Sequence, residues 1–186
     1  MGAILTGVII GVILLGVALY VISTYNGLIR MKNKIEEALA TIEAYLKKRY
    51  DLIPNLVEIV KGYAKHEKQT FTEVIEARNK VMSAVGFDEM SKSENALKGT
   101  LKSLFALAEN YPELKANQNF LELQTQLTKV EDDILQSRKY YNGVVKSFNT
   151  KIETFPNSMV ATAFKFEKRK YYKISEEAKQ NIKVSF

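Results

Sequence analysis

The pair with the clearest chemical potential is His66 and Glu67, because these residue types open the H-E-x-x-H motif of zinc-dependent proteases. In that motif two histidines bind the metal and the glutamate acts as general base. Position 70 is Thr, however, and His66 is the single histidine of the 186 residues. A di-metal carboxylate site would need two Glu-x-x-His pairs, which one histidine cannot supply.

Other catalytic patterns are missing as well. The chain contains no cysteine, which excludes a thiolate nucleophile, a disulfide framework and a Cys/His zinc site. It contains neither a G-x-x-x-x-G-K-[ST] nor a G-x-G-x-x-G loop for phosphates, and no serine lies in a Gly-rich elbow. The sequence therefore predicts a protein that is not an enzyme, with no catalytic residue, no metal and no cofactor.

Charged residues do occur at positions where helices should pack. Six of them lie on or beside the apolar stripes: Arg49, Glu67, Arg78, Glu109, Glu131 and Arg138. Burying such a charge without a partner is costly, so we expect these residues to pair between helices and fix the helix register. The alternative is a polar pocket that makes the protein a ligand-binding protein or a hydrolase. A closed, ion-paired core would favour the first interpretation, and an open cleft lined by Glu67, Glu109, Arg78 and Arg138 the second.

The elements that position these residues are helices, since apolar residues recur every three or four positions. The pattern predicts an all-α fold with an antiparallel bundle of four long, coiled-coil-like helices within residues 30–156, at about 24–49, 51–85, 92–109 and 119–153. Asp51 and Pro54 are expected to open the second helix, and Ser91-x-x-Glu94 to cap the third. Four asparagines are expected to cap helix ends or bridge helices: Asn26, Asn55, Asn142 and Asn149.

Residues 1–29 carry no charged side chain, and residues 3–22 are almost wholly Ile, Val, Leu, Gly and Ala. Twenty helical residues span about 30 Å, the thickness of a bilayer's hydrocarbon core. The sequence therefore predicts an uncleaved transmembrane anchor. Basic residues begin only after this stretch, at Arg30, Lys32 and Lys34, and they predict an outside N-terminus and a cytoplasmic bundle.

The net charge of +6 is concentrated outside the middle of the chain. Residues 51–154 hold fourteen basic against fifteen acidic residues, whereas residues 155–186 hold seven against three. The basic and aromatic tail, residues 157–186, is expected to contact the membrane surface through Lys165, Lys168, Arg169, Lys170 and Lys173. The alternative is a tail that is solvated or packs on the bundle through its aromatic residues. The neutral middle shows no basic stripe of the kind that binds nucleic acid.

Several motifs together resemble the bacterial LemA family over nearly the whole chain. They comprise Tyr25-Asn26, the stretch Arg49, Asp51, Leu52, Ile53, Pro54, Asn55 and Leu56, then His66-Glu67, Arg78, Glu109, Tyr111-Pro112, Arg138, Tyr141-Asn142, Asn149 and Pro156. The resemblance implies a short outside N-terminus, one membrane span and a long-helix bundle, without an established enzymatic activity. We therefore expect a single-pass protein of the bacterial inner membrane that acts as a scaffold or interaction module. Its expected partners are the lipid bilayer, other membrane or envelope proteins, or a second copy of the chain.

Overall fold

The structure is a computed structural model that describes residues 1–172, except for the side chains of residues 87 and 88. Within this range every regular element is a helix, which confirms the predicted all-α class. The helices are α1 (Gly2–Tyr63), α2 (Lys68–Ser83), α3 (Phe87–Ala108), α4 (Pro112–Lys115), α5 (Gln118–Glu153) and α6 (Asn157–Ala163). The antiparallel four-helix arrangement remains a prediction.

The chain divides into two compact units. The anchor-side unit consists of residues 1–41 and 139–171, and the distal unit begins with residues 42–138 and resumes at residue 172. The long helices α1 and α5 supply residues to both units. Each unit has its own buried residues and is described by itself.

The predicted break between the first two helices at residues 50–51 was wrong. Helix α1 continues through Pro54 to Tyr63, and Asp51 lies on its exposed surface with an ion pair to Lys47. A proline inside a helix lacks the amide that would bond to the carbonyl four residues earlier. Here that carbonyl belongs to Tyr50, and the Nε of Arg78 donates to it at 2.8 Å. An arginine from α2 thus replaces the missing backbone donor, and the helix does not need to end.

The first turns of α1 bury nothing. The side chains of residues 1–20 are all exposed, including Leu15 at 61% and Leu19 at 60%. By length and composition, α1 is the one helix in residues 1–172 that could cross a membrane. Its apolar N-terminal part is therefore compatible with a single-pass membrane protein.

The core of the distal unit is formed by the apolar stripes of α1, α2, α3 and α5. The buried residues are Ile42, Leu46, Ile53, Leu56, Val57 and Val60 of α1, Phe71, Val74 and Val81 of α2, Leu97, Leu101 and Leu104 of α3, and Leu127, Val130 and Ile134 of α5. Helix α2 packs against α3 after the turn at residues 84–86. The spacing of three and four residues that predicted helices also identifies the face that each helix buries.

Two predicted helix starts shift by a few residues. Helix α3 begins at Phe87, after Gly86 with φ of 86°, so Glu94 lies inside the helix rather than at its cap. Helix α5 begins at Gln118 instead of residue 119, where the Oδ1 of Asn117 accepts a hydrogen bond from the amide of Phe120 at 3.0 Å. This is the N-cap geometry, in which a side-chain oxygen satisfies an amide of the first turn.

Candidate functional sites

A buried carboxylate, Glu94 of α3, is the centre of the distal unit's polar interior. Its side chain is 8% exposed. The hydroxyl of Tyr50 donates to Oε1 at 2.6 Å, and Nη2 of Arg138 donates to Oε2 at 2.6 Å. Nη2 of Arg49 lies 3.5 Å from Oε1. Both carboxylate oxygens are therefore engaged, as a buried charge requires.

The contacts continue outward from Glu94. Nη1 of Arg49 pairs with Glu131 at 3.1 Å, where Glu131 is about half exposed. The guanidinium of Arg138 lies over the ring of Tyr172, 4.6 Å from its centroid, and also donates to its hydroxyl at 3.3 Å. Two arginines alternate with two glutamates, so the formal charges cancel. We refer to Arg49, Glu94, Glu131, Arg138, Tyr50 and Tyr172 as the ion network.

Burial and charge in the ion network shift the acidity of three groups. Burial raises the pKa of the Tyr50 phenol, and the neighbouring Glu94 carboxylate raises it further although Arg49 opposes the change. Burial likewise raises the pKa of Tyr172, against the lowering influence of Arg138. Burial alone would lower the pKa of Arg138, but Tyr172 and Glu94 leave it raised overall. Below about pH 10, the usual phenol pKa, the network holds neutral tyrosines beside paired charges.

The structure brings together three of the six charged residues that the sequence singled out: Arg49, Glu131 and Arg138. Arg78 lies in the same unit but binds the carbonyl of Tyr50 and the side chain of Asn79. Glu67 is the N-cap residue of α2, half-buried, and makes no side-chain capping bond. Glu109 is exposed and pairs with Lys115 at 2.6 Å. None of five cavities in residues 1–172 is lined by Glu67, Arg78 or Arg138. Glu109 lines a small cavity of about 60 Å³ together with Lys115.

Sequence reasoning missed the central residue, Glu94, because it was interpreted as part of a helix cap. The overlooked signal was its register. Glu94 precedes Leu97, Leu101 and Leu104 by three, seven and ten residues, so it lies on the same buried stripe of α3. A charged residue in register with a buried stripe needs partners from neighbouring helices.

The other singled-out residues have simpler surroundings. His66 lies exposed in the turn between α1 and α2, and Asn26 and Asn55 are exposed on α1. Tyr111 is the N-cap residue of α4, with Pro112 at the first helical position. No group of three or more His, Cys, Asp or Glu side chains that could hold a metal ion is found in the described part of the chain.

In the anchor-side unit, residues 157–170 pack against α1 and α5, and we call them the docked segment. The amide of Asn149 pairs with the backbone of Arg169 in both directions, each bond 2.9 Å long. The hydroxyl of Tyr141 donates to the carbonyl of Lys170 at 3.0 Å. Asn149 thus binds the backbone of a non-helical segment, whereas the sequence predicts that it caps a helix end or bridges two helices.

Aromatic contacts connect the docked segment to α1 near the end of the exposed apolar stretch. The ring of Tyr25 lies 4.8 Å from that of Phe164 and 5.8 Å from that of Phe166. The hydroxyl of Tyr20 donates to the Oδ1 of Asn157 at 2.9 Å. Residues 157–170 therefore pack on the helices through aromatic residues, which is one of the alternatives that the sequence left open for the tail. Their basic residues remain exposed.

The basic residues of the docked segment lie at the surface of the anchor-side unit. Lys165, Lys168, Arg169 and Lys170 are all exposed. Lys168 pairs with Glu153 of α5, and Arg169 lies 3.8 Å from Glu36 of α1. Lys173, the fifth predicted membrane contact, lies outside the described residues.

Three large apolar side chains are exposed in the same region of the anchor-side unit. They are Phe155 at 75%, Met159 at 66% and Phe164 at 50%. Phe155 precedes α6, Met159 lies on it and Phe164 follows it. Exposed apolar side chains that are grouped together mark contact surfaces in soluble and membrane proteins alike.

Comparisons with known proteins relate this chain to LemA proteins and to magnetosome proteins. Residues 38–186 match the model of the LemA family. The protein LemA of Metamycoplasma hominis is 29% identical over 165 residues, which cover 86% of this chain and 74% of that protein. The magnetosome proteins MamQ 2 of Paramagnetospirillum magneticum and MamQ of Magnetospirillum gryphiswaldense are 21% and 20% identical, and the chain spans 64% of the length of each. No catalytic role is attached to any of these matches.

Proposed function

Because the chain belongs to the LemA family, we propose that it is a single-pass membrane protein that presents a helical interaction module at the cytoplasmic face of the bacterial inner membrane. The observation that carries this proposal is the character of α1. Its first twenty residues are exposed and apolar, and the same unbroken helix continues into buried core positions from Leu28 onwards. A span without a flexible linker would hold the module firmly at the membrane.

The module's ion network supports a structural role over a catalytic one. Both oxygens of Glu94 accept hydrogen bonds, and Arg49 and Arg138 each pair with a carboxylate. With each oxygen already bonded and only 8% of its side chain exposed, Glu94 is not presented to a substrate. The alternative, a ligand-binding protein or hydrolase that uses these residues, would require the network to open.

A second membrane contact accompanies the anchor in this proposal. The exposed cations of the docked segment and Lys173 would lie against anionic headgroups, and Phe155 and Met159 would enter the interface. The contacts of Asn157 with Tyr20 and of Phe164 with Tyr25 support this proposal, since tyrosines near the end of an apolar span suit the headgroup layer.

Membrane integration is tested by alkaline carbonate extraction of cells that express the full chain. The expected result is that the wild-type chain stays with the membrane, because about twenty apolar residues hold it there. A variant with Val12→Lys and Leu15→Lys should be extracted in large part, and Lys47→Gln should behave as wild type. Release of the wild-type chain would contradict the anchor.

Orientation can be tested by labelling single cysteines, since the natural chain has none. Gly2→Cys places a label at the start of α1, and Lys129→Cys places one at an exposed position of α5. A membrane-impermeant maleimide should label Gly2→Cys in intact spheroplasts and label Lys129→Cys only after lysis. The reverse pattern would place the module outside the cytoplasm.

The second contact is tested with an environment-sensitive fluorophore on Phe155→Cys in the reconstituted full chain. Nitroxide-labelled lipids should quench this probe strongly. The same fluorophore on Lys129→Cys serves as the control and should be quenched little. Equal quenching at both sites would contradict a contact at Phe155.

The interaction role is tested by photo-crosslinking in living cells. Residues of α3 and α5 line a groove of about 840 Å³ in the distal unit, among them Lys102 and Phe105. A photo-reactive residue at Lys102 should give adducts of discrete mass, with one at exposed Glu76 of α2 as the control. Adducts of twice the chain's mass would identify a second copy as the partner, and no adducts at either site would contradict the proposal.

A further inference from the structure

The anchor-side unit contains a cavity of about 380 Å³ between α1, α5 and the docked segment. One part of its lining is apolar and aromatic: Tyr25, Ile29, Phe148, Phe164 and Phe166. The other part is mainly cationic: Lys32, Lys165, Lys168 and Arg169, with Glu167 as the single acidic residue of the lining. A cavity with both kinds of wall suits a ligand that is part anion and part hydrocarbon.

Two of the four cations have their charges available to a ligand. Lys168 and Arg169 are paired with Glu153 and Glu36. Lys32 and Lys165 form no ion pair with any residue in the range 1–172. Lys32 is nevertheless half-buried, and a half-buried ammonium gains more from an anionic partner than an exposed one does.

The backbone of Lys165 is unusual. Its φ is 56°, in the left-handed region, where a β-carbon is sterically costly and glycine is the ordinary residue. The amide of Lys165 bonds to Thr162 and that of Phe166 to Ala161, so Lys165 occupies the position just beyond the C-terminus of α6 that usually holds glycine. Lys165 lines the cavity from this position at a conformational cost. Strain of this kind is typical of functional sites.

The cavity's position identifies the ligand class. Tyr25 lies three residues after the apolar run 3–22 on the same helix, and it contacts Phe164 of the cavity wall. A phospholipid lying along that run would bring its phosphate to the level of Lys32 and Lys165. Its glycerol and upper acyl carbons would meet Ile29 and Phe164.

We propose that this cavity binds the phosphate and headgroup of an anionic phospholipid from the adjacent leaflet. The inference rests on the proposed membrane anchoring and adds a defined lipid site to it. A free phosphate shares the anionic chemistry, but it would leave the apolar wall without a partner. The lipid is therefore the occupant to which the proposal commits.

The test is native mass spectrometry of the full chain in detergent with dioctanoyl phosphatidylglycerol and dioctanoyl phosphatidylcholine. The wild type should retain phosphatidylglycerol preferentially. Lys32→Gln with Lys165→Gly should lower this preference by about 25-fold, at roughly fivefold for each of the two cations. The control, Lys48→Gln with Lys146→Gln, removes the same charge from exposed positions of α1 and α5, outside both the cavity and the docked segment. It should change the preference by less than about twofold.

Several results would overturn the lipid site. They are no preference in the wild type, an unchanged preference in the cavity variant, an equal loss in the control, or displacement of the lipid by millimolar inorganic phosphate. Lys165→Gly relieves backbone strain, so its melting temperature should be at least that of the wild type, which separates lost binding from lost folding. Carbonate extraction of the same variants distinguishes the two proposals, because a chain that stays in the membrane without lipid preference contradicts only the site.

Discussion

The two units of this chain treat charge in opposite ways. In the distal unit, Glu94 and Arg49 are almost completely buried and their charges are neutralised by side chains of the same unit. In the anchor-side unit, the cations of the docked segment are exposed, and the acids that pair with them, Glu153 and Glu36, are exposed as well. Internal compensation suits a folded core with one register, whereas exposed cations remain available to an external anion.

The largest expected effect lies at the centre of the ion network. Glu94→Gln keeps the side-chain shape but leaves Arg138 without its buried carboxylate, and Arg49 without one of two. Breaking a buried pair by removing one partner costs about 3–5 kcal/mol. We expect a loss of that order in the free energy of unfolding, measured by urea denaturation of the full chain in detergent and followed by circular dichroism.

The matched change in the other unit is Glu153→Gln, which removes the exposed partner of Lys168. Exposed ion pairs contribute about 0–1 kcal/mol, so this variant should unfold nearly as the wild type does. Similar losses in the two variants would contradict the contrast between the units.

The second effect depends on pH. A phenol is neutral below its pKa, and burial raises the pKa of Tyr50 and Tyr172 in the folded chain. The unfolded chain therefore releases these protons first. The associated stability is fully present below about pH 10 and is lost as the pH rises through the folded-state pKa, by up to about 1.4 kcal/mol per pH unit for each phenol.

This pH effect is measured as the slope of the free energy of unfolding between pH 9.5 and 11.5. Tyr50→Phe should make the slope shallower, and exposed Tyr140→Phe should leave it unchanged. An identical slope in all three chains would show that the phenols of the ion network stay protonated or titrate alike in both states.

The helical class, the exposed apolar start of α1 and the buried faces follow from hydrophobic spacing, because that spacing reports which side of a helix meets other helices. The continuation of α1 past Pro54 does not follow from hydrophobic spacing. It depends on Arg78, which is 24 residues away in sequence and supplies the donor that proline lacks. Rules that consider only the residues next to a proline in sequence do not include a hydrogen-bond donor from another helix.

The sequence predicted that charged residues would pair between helices, but it did not predict which residues form the ion network. Arg49, Glu131 and Arg138 stand out because charges near apolar stripes need partners, yet the residue that joins two of them, Glu94, matched a local capping pattern. Whether Glu94 caps α3 or lies inside it depends on the residue at which α3 begins. That start is set by Gly86 and its positive φ, which the spacing of apolar residues does not reveal.

The third prediction concerns Arg78 and Pro54 of the distal unit. Arg78→Met removes the donor to the Tyr50 carbonyl and should cost about 1 kcal/mol, the usual value of a hydrogen bond. In a Pro54→Ala background the restored amide can bond to that carbonyl, and the same change should cost clearly less. A double-mutant cycle measures the difference, and strict additivity would contradict the substitution of one donor for the other.

The smallest effect, and the one with the opposite sign, belongs to the anchor-side unit. Lys165→Gly replaces a left-handed lysine by the residue that adopts this backbone without steric cost, although glycine loses more entropy on folding. The net expectation is a gain of roughly 0.5–1 kcal/mol in the free energy of unfolding, whereas Lys170→Gly in ordinary backbone should give no gain. A gain here, beside the loss at Glu94, would mean that the anchor-side unit keeps a lysine in the left-handed backbone of residue 165 at the expense of its own stability. A destabilised Lys165→Gly would instead mean that Lys165 supports the fold, and the contrast between the units would fail at this residue.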